Sequence, residues 1–312
     1  MAEKHREVTF EQELVASLLS HGWQEGDPKR YDRTLALYPD DLVGWLQATQ
    51  PQEWAKLGGF YHGDPTLHVL EYVAKLLDKD GALALLRRGF KDGNARFQLC
   101  QFKPSHGFNP QLQALYDGVR LRVVRQVHYS LHNENSIDVV LFANGIPLAT
   151  LELKTDFTQS VQDAIRQYKY DRPPRDPATR QEEPLLAFKR RALVHFAVST
   201  DEVHMTTRLA GAETTFLPFN LGCDQGAGNP PNPQGYRTSY LWERVLARDS
   251  FLEILGRFIH LEKQEKGERI VFPRYHQWEV VTQLVAATRA EGTGHKYLVQ
   301  HSAGSGKSNS IA

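Results

Sequence analysis

The stretch IDVVLFANGIPLATLELK, residues 137–154, holds two apolar runs parted by Asn144–Gly145. Asn-Gly between alternating or β-branched runs is the strongest short-range signal for a β-hairpin. The runs IDVVLFA (137–143) and PLATLELK (147–154) are therefore expected as paired strands. In the second, Glu152 and Lys154 are two residues apart and share one face of the strand, while Leu151 and Leu153 point to the other face, into a core. Register decides whether Asp138 joins the polar face. A two-residue loop pairs 143 with 146 and 138 with 151, which sets Asp138 and Glu152 on opposite faces. A three-residue loop, Ala143–Asn144–Gly145, pairs 142 with 146 and 138 with 150, and both carboxylates then share a face, a diagonal apart. An odd-length loop is the expectation.

Two carboxylates on one face repel each other unless a hard cation such as Mg²⁺ bridges them. Such a cation acidifies a bound water and stabilises charge on a phosphoryl oxygen. A neighbouring lysine orients the hydroxide and stabilises the transition state. Glu-x-Lys alone also fits a solvated hairpin face. The order Asp, hairpin, Glu-x-Lys, then a helix bearing Gln and Tyr is more specific, and points to Mg²⁺-dependent phosphodiester hydrolysis.

Working outward, VRLRVVRQVHY (119–129) reads as a third strand and TQSVQDAIRQYKY (158–170) as the helix that follows the lysine. ALVHFAVST (192–200) reads as a buried strand and DEVHMTTRL (201–209) as the sheet edge. The Asp201–His204 run imitates a helicase DExH box but precedes the phosphate loop, so it is read as the closing strand. Upstream, residues 8–21 carry Phe10, Leu14, Val15, Leu18 and Leu19 at helical spacing. DDLVGWLQAT, PQEWAKL and LHVLEYVAKLLDKDGALALLRRG read as further helices, the last broken near Asp80–Gly81, with Trp45 and Trp54 in the core. LGCDQGAGNPPNPQG (221–235) is the linker candidate. Helices near 239–260 and over RYHQWEVVTQLVAATRA follow, then KYLVQ as a strand entering HSAGSGKSNSIA. There Gly304, Ser305, Gly306, Lys307 and Ser308 form a glycine-rich turn whose N–H groups cradle phosphates. Lys307 would reach the terminal phosphates of ATP and Ser308 would hold Mg²⁺; His301 stands where the full pattern has glycine. Only four residues follow Ser308, so this chain alone is not expected to hydrolyse ATP.

Composition bounds these readings. The 312 residues contain 37 Lys+Arg and 37 Asp+Glu, with 41% apolar residues and a mean hydropathy of −0.48. That is ordinary globular composition. Zero net charge argues against a wholly basic nucleic-acid binder but permits a local basic surface. Residues 166–191 hold eight Lys/Arg against four Asp/Glu, and with Arg120, Arg122 and Arg125 they are the candidate phosphate-contacting surface. Two cysteines exclude a disulfide framework and a cysteine-built zinc site. No apolar run approaches the ~18 residues of a spanning helix, and the N-terminus lacks a signal-peptide pattern. A cytoplasmic location is expected.

The hairpin with its NG-x-PL turn resembles the nuclease core of the PD-(D/E)xK superfamily, and more closely the restriction subunit of type I restriction enzymes. That resemblance implies that Asp138 and Glu152 bind Mg²⁺, helped by the Leu153 carbonyl, and that Lys154 is the catalytic lysine. It implies that Glu11 lies beside the metal and that Gln167 with Tyr170, or the adjacent Tyr168, supplies a Gln-Tyr motif, here with a spacing of three instead of four. PRYHQWEVV is similar to the Q-motif of superfamily 2 helicases, which implies that Gln277 reads adenine, with Tyr275 stacking nearby. The implied fold is α/β. A PD-(D/E)xK core, a mixed sheet flanked by helices, spans 1–220; a linker covers 221–238; the incomplete start of a RecA-like P-loop domain covers 239–312. The implied partners are double-stranded DNA and the modification (methyltransferase) and specificity subunits; the implied cofactors are Mg²⁺ and ATP. An inactive fragment, or a module docking on DNA or the methyltransferase, is the second reading.

Overall fold

The computed structural model describes residues 2–155, 159–223, 226–265 and 267–300. The chain opens with α1 (Ala2–Ser20), β1 (Gln24–Gly26), α2 (Pro39–Thr49), α3 (Pro51–Tyr61), α4 (Thr66–Asp80) and α5 (Ala82–Arg88). A hairpin, β2 (Phe90–Asp92) and β3 (Ala95–Phe97), and α6 (Pro110–Asp117) lead into the central strands. These are β4 (Leu121–His128), β5 (Ser136–Ala143) and β6 (Ile146–Leu153). After α7 (Val161–Tyr170) come β7 (Val194–Val198), β8 (Val203–Thr206) and β9 (Leu217–Pro218). The last part holds α8 (Arg248–Glu253) between two π-helical turns, the hairpin β10 (His260–Gln264) and β11 (Gly267–Val271), and α9 (Tyr275–Glu291). Seven strands form one mixed sheet in the order β1-β4-β5-β6-β7-β8-β9, with β1–β4 and β6–β7 parallel and the other neighbours antiparallel.

Both faces of this sheet are buried, which is why β6 is fully buried along its length. On one face Val139, Leu141, Leu151 and Leu153 pack with Phe10, Leu14 and Leu18 of α1 and the apolar sides of α2, α4 and α5. On the other, Val140 and Phe142 pack with Val161, Ala164, Ile165 and Tyr168 of α7. Helix α1 starts six residues before the apolar pattern does, because its first turns are charged, good helix formers with no apolar signature.

The hairpin turn differs from the expected odd loop. Ala143 pairs with Ile146, so Asn144–Gly145 is a two-residue loop. Both residues have positive φ, 45° and 82°, as a tight primed turn requires. The register then shifts: Phe142 pairs with Pro147, but Leu141 pairs with Ala149. Leu148 is the extra residue of a β-bulge. Pro147 lacks the N–H that a regular ladder needs, and bulges are where a central strand tolerates proline. Asn144 is buried and its amide accepts from Arg120 N–H (2.8 Å) and donates to Leu99 O (2.9 Å). Gly145 O accepts from Tyr38 N–H at 2.8 Å.

The apolar core does not part at 221–238. Tyr240, Leu241, Trp242, Val245, Phe251, Leu252, Ile270, Phe272 and Trp278 belong to the same cluster as α1 and the sheet. Phe10 packs edge-on against Tyr236 and Trp242, and Trp23 Nε1 donates to Leu246 O. The segment from 239 to about 278, expected to open a second domain, is thus joined to the first by shared burial. The helix expected near 239–260 is broken into π-turns around α8. KYLVQ (296–300) forms no strand; no neighbour pairs with it among the described residues.

Gly145→Ala should destabilise the protein by roughly 2 kcal/mol or more. Its φ is positive, and a Cβ there would meet the Tyr38 carbonyl at 2.4 Å and the Leu42 nitrogen at 2.8 Å. Urea denaturation measures this; an unchanged midpoint would show that the turn tolerates displacement.

Candidate active site

The bulge sets the site. Past it Val139 pairs with Leu151, and continuing this register puts Asp138 directly opposite Glu152, not diagonal to it. The expectation that they share a face holds, by a bulge in β6 instead of an odd loop. On the other side of Asp138 lies Gln126 of β4, between the pairs Arg125–Val139 and Val127–Ile137. Gln126 itself has φ 50°, a local break in the strand. Its Nε2 donates to Asp138 Oδ1 (3.3 Å) and to Glu11 Oε2 on α1 (2.8 Å). Asp138 Oδ2 accepts from the Leu153 N–H at 2.8 Å. Lys154 Nζ donates to Glu7 Oε1, one helical turn before Glu11, at 3.1 Å. Asp138, Glu152, Lys154 and Glu11 are therefore brought together, with Gln126 and Glu7 as the links between them.

Glu152 is fully buried. Its Oε1 accepts from Arg172 Nε at 2.8 Å, and the two side chains are 0% and 10% exposed. Its Oε2 is buried without an N–H donor among the described residues, and the Glu152 carboxyl lies within hydrogen-bonding reach of Asp138. Burial, and then the facing Asp138, push the Glu152 carboxyl well above the usual carboxylate range; Arg172 and Lys154 only partly offset this. Burial likewise raises Glu11, which also feels Asp138. Leaving a carboxylate oxygen without a donor in a dry site costs free energy, and a cation between Asp138 and Glu152 would answer both that oxygen and the repulsion. The donors are all carboxylate oxygens, as a hard divalent ion prefers. Among the described residues no group of three or more His, Cys, Asp or Glu gathers as a ligand set. The pair is chemically compatible with Mg²⁺, which retains water and binds through one or two carboxylates.

Behind Glu152, on the same face, Thr150 Oγ1 bonds the Tyr168 hydroxyl (2.8 Å) and His195 Nδ1 (2.7 Å). Burial drives the His195 pKa down to about 3, so this ring is neutral. The chain of three pins α7 to β6 and β7. Tyr168, not Tyr170, thus faces the site's side of the sheet; Tyr170 is 63% exposed. Gln167 is half-buried on α7, and its backbone carbonyl accepts from Asp171 N–H at the helix end.

Gln277 lies away from the hairpin at the start of α9. It is buried, and its Oε1 accepts from Arg274 N–H at 2.9 Å, capping the helix. Tyr275 is packed against Tyr240 and Phe219, so its ring is a core element and presents no stacking surface. Gly304, Ser305, Gly306, Lys307 and Ser308 lie outside the described residues. Most of the expected basic surface is consumed internally. Arg122 holds Asp41, Arg125 holds Glu25, Arg175 and Arg190 hold Glu182, Lys189 holds Glu268, and buried Arg191 holds Asp78 and the Leu35 carbonyl.

Sequence reasoning missed Arg172, Gln126 and Glu7. Glu7 was legible as the residue four before Glu11, on the same helical stripe. Arg172 counted only as one cation in a basic stretch; packing alone assigns it to Glu152.

Arg172→Met should cost about 1–3 kcal/mol, because it leaves a buried polar group without its charged partner. Adding Glu152→Gln should recover part of that loss, and a double-mutant cycle by urea denaturation reads the coupling. Additive effects would refute a direct clamp. The raised Glu152 carboxyl makes a second, pH-dependent prediction. The folded state holds this proton more tightly than the unfolded chain. Its contribution to stability is then fully present below the unfolded pKa of about 4.3 and is lost as pH rises through the folded pKa. In metal-free protein, Glu152→Gln should flatten the fall of Tm as pH rises above about 4. Parallel wild-type and variant curves would contradict this.

No curated protein matches the chain. The family described as Type I restriction enzyme R protein N terminus (HSDR_N) matches residues 4–214, about two thirds of it. That span takes in α1, the whole β4–β5–β6 hairpin sheet, α7 and the Arg172 clamp. Among the described residues no helix is long and apolar enough to cross a membrane. The chain belongs to this family and carries the N-terminal region of a type I restriction enzyme R protein.

Proposed function

We propose that this chain cleaves DNA phosphodiester bonds at Asp138, Glu152 and Lys154, as the endonuclease part of a type I restriction-modification enzyme. The observation that carries the reading is the opposition of Asp138 and Glu152, with one buried Glu152 oxygen lacking an N–H donor among the described residues, two residues from Lys154. Asp138 and Glu152 would hold Mg²⁺, which supplies an acidified water and stabilises charge on the phosphoryl oxygen. Arg172 fixes the Glu152 carboxylate in one orientation, and Leu153 N–H with Gln126 fixes Asp138. Lys154 sits on the same face, where its ammonium stabilises negative charge at the scissile phosphate and positions the attacking water. Glu11 reaches the same centre through Gln126. Gln167 and either Tyr168 or Tyr170 remain in the proposal as helix residues that steady or contact the DNA strand.

In the proposal, cleavage is coupled to ATP-driven translocation of double-stranded DNA. Sequence recognition comes from the specificity and modification subunits. Residues 304–308 would bind ATP phosphates, with Gln277 near the adenine. The setting is the cytoplasm.

Lys154→Ala should reduce DNA cleavage roughly 100-fold or more in the reconstituted complex with ATP and Mg²⁺, with Tm close to wild type. Cleavage at the wild-type rate would refute the assignment, and a collapse of Tm would make the lysine structural. Asp138→Ala should lose the Mg²⁺ binding that calorimetry detects in wild type; equal binding by both would end the nuclease reading.

A further inference from the structure

We infer that the groove between α2, the end of α5 and the β2–β3 hairpin is a phosphate-binding site, separate from the candidate active site. It encloses about 630 Å³ and is lined by Arg88, Lys91 and Arg96 together with Trp45, Gln50 and Gln98. That volume suits a nucleotide-sized group.

Charge placement carries the inference. Lys91 and Arg96 are directly opposite each other in the register of the hairpin. Like charges directly opposite across a ribbon are destabilising. All three cations are exposed, and none of their side chains forms an ion pair among the described residues. Of the neighbouring carboxylates, Glu53 also feels the Arg96 charge, so the excess positive charge rests mainly on Arg88 and Lys91. Glu53 accepts from Lys56 Nζ and the Arg96 N–H, and Asp92 accepts from His68. This contrasts with residues 166–191, where most cations find a carboxylate in the fold.

The backbone holds the cations in place. Gly89 has φ 67°, and a Cβ there would meet the Phe97 carbonyl at 1.9 Å, so the chain turns from α5 into β2 in close contact with β3. Phe90 and Phe97 stack inward at 5.0 Å and root the ribbon in the core. Gln50 bridges to Gln98 through both ends of its amide. The groove is thus a fixed ribbon carrying an excess of positive charge, which a phosphate group would neutralise.

Its position separates it from catalysis. Gln98 adjoins Leu99, whose carbonyl bonds Asn144 at the turn end of the hairpin. Asp138 is six residues along β5 from there, roughly 20 Å at the strand rise. The ligand chemistry is a phosphate, either in a DNA backbone or in a free nucleotide or pyrophosphate. A duplex engaged at both places would be gripped about 20 Å from the point of cutting. The DNA source rests on the function proposed above; the phosphate chemistry does not.

The test uses the whole chain without divalent metal and a labelled duplex of about 20 base pairs. The triple variant Arg88→Gln/Lys91→Gln/Arg96→Gln should bind it at least about tenfold more weakly at about 50 mM salt. The slope of log K against log salt should flatten by about 2–3. Tm should equal or exceed wild type, since the opposed charges are gone. Unchanged duplex binding with lost pyrophosphate binding by calorimetry would assign the site to free phosphate compounds. Unchanged binding of both overturns the inference. Mg²⁺ binding by the triple variant, read by calorimetry, should match that of wild type, so failure of the nuclease reading and failure of this site are read separately.

Discussion

Everything at the candidate site follows from how β5 meets β6. A two-residue turn alone would have put Asp138 and Glu152 on opposite faces of the sheet. One bulged residue, Leu148, reverses that. Because side chains alternate with a period of two, a single inserted residue moves every later side chain of β6 to the other face. Thr150 and Glu152 thereby face α7 and Asp138, Ala149, Leu151 and Leu153 face the core of α1, and Lys154, just past the strand end, reaches Glu7 of α1. The turn is locked by buried Asn144 and by the close approach of Tyr38 to Gly145. Register, and with it the chemistry, is anchored about 20 Å from where it acts.

That register creates an electrostatic problem which the rest of the site manages. Two facing carboxylates, one of them fully buried, are costly. Arg172 answers one Glu152 oxygen and leaves the other without an N–H donor among the described residues. Asp138 is restrained by a backbone N–H and by Gln126. The arrangement is incomplete as a purely structural network, because a stabilising design would have paired or replaced the second oxygen. A rigidly oriented pair of carboxylates of this kind is compatible with the cation site proposed above.

Much of this was legible in the sequence. The strand pair and the strands β7 and β8 follow from period-two alternation and one Asn-Gly turn, and the helix after the lysine from its own apolar spacing; the shared face of Glu152 and Lys154 was legible, its meeting with Asp138 only through the bulge. Glu11 came only from the family resemblance, and α1 places it against Gln126. The bulge was written in Pro147, a residue without an N–H in the middle of a central strand, but its consequence for register was not drawn from it. Arg172, Gln126 and the buried role of Tyr168 had no local signature, since each is defined by what packs against it. The packing of residues 239–278 had no local signature for a related reason. The Gly- and Pro-rich approach to them looks like a linker, and only the packing of Tyr236 and Trp242 on Phe10 reveals that they close the same core.

The central claim is that the bulged hairpin presents Asp138 and Glu152 as one cation site. A crystal structure of the chain grown with Mn²⁺ in place of Mg²⁺ tests it most directly, through the anomalous signal of the ion. The account predicts one ion bonded to both Asp138 and Glu152 Oε2, with Arg172 still on Oε1. No ion at that point, or Asp138 and Glu152 on opposite faces of the hairpin, would contradict it.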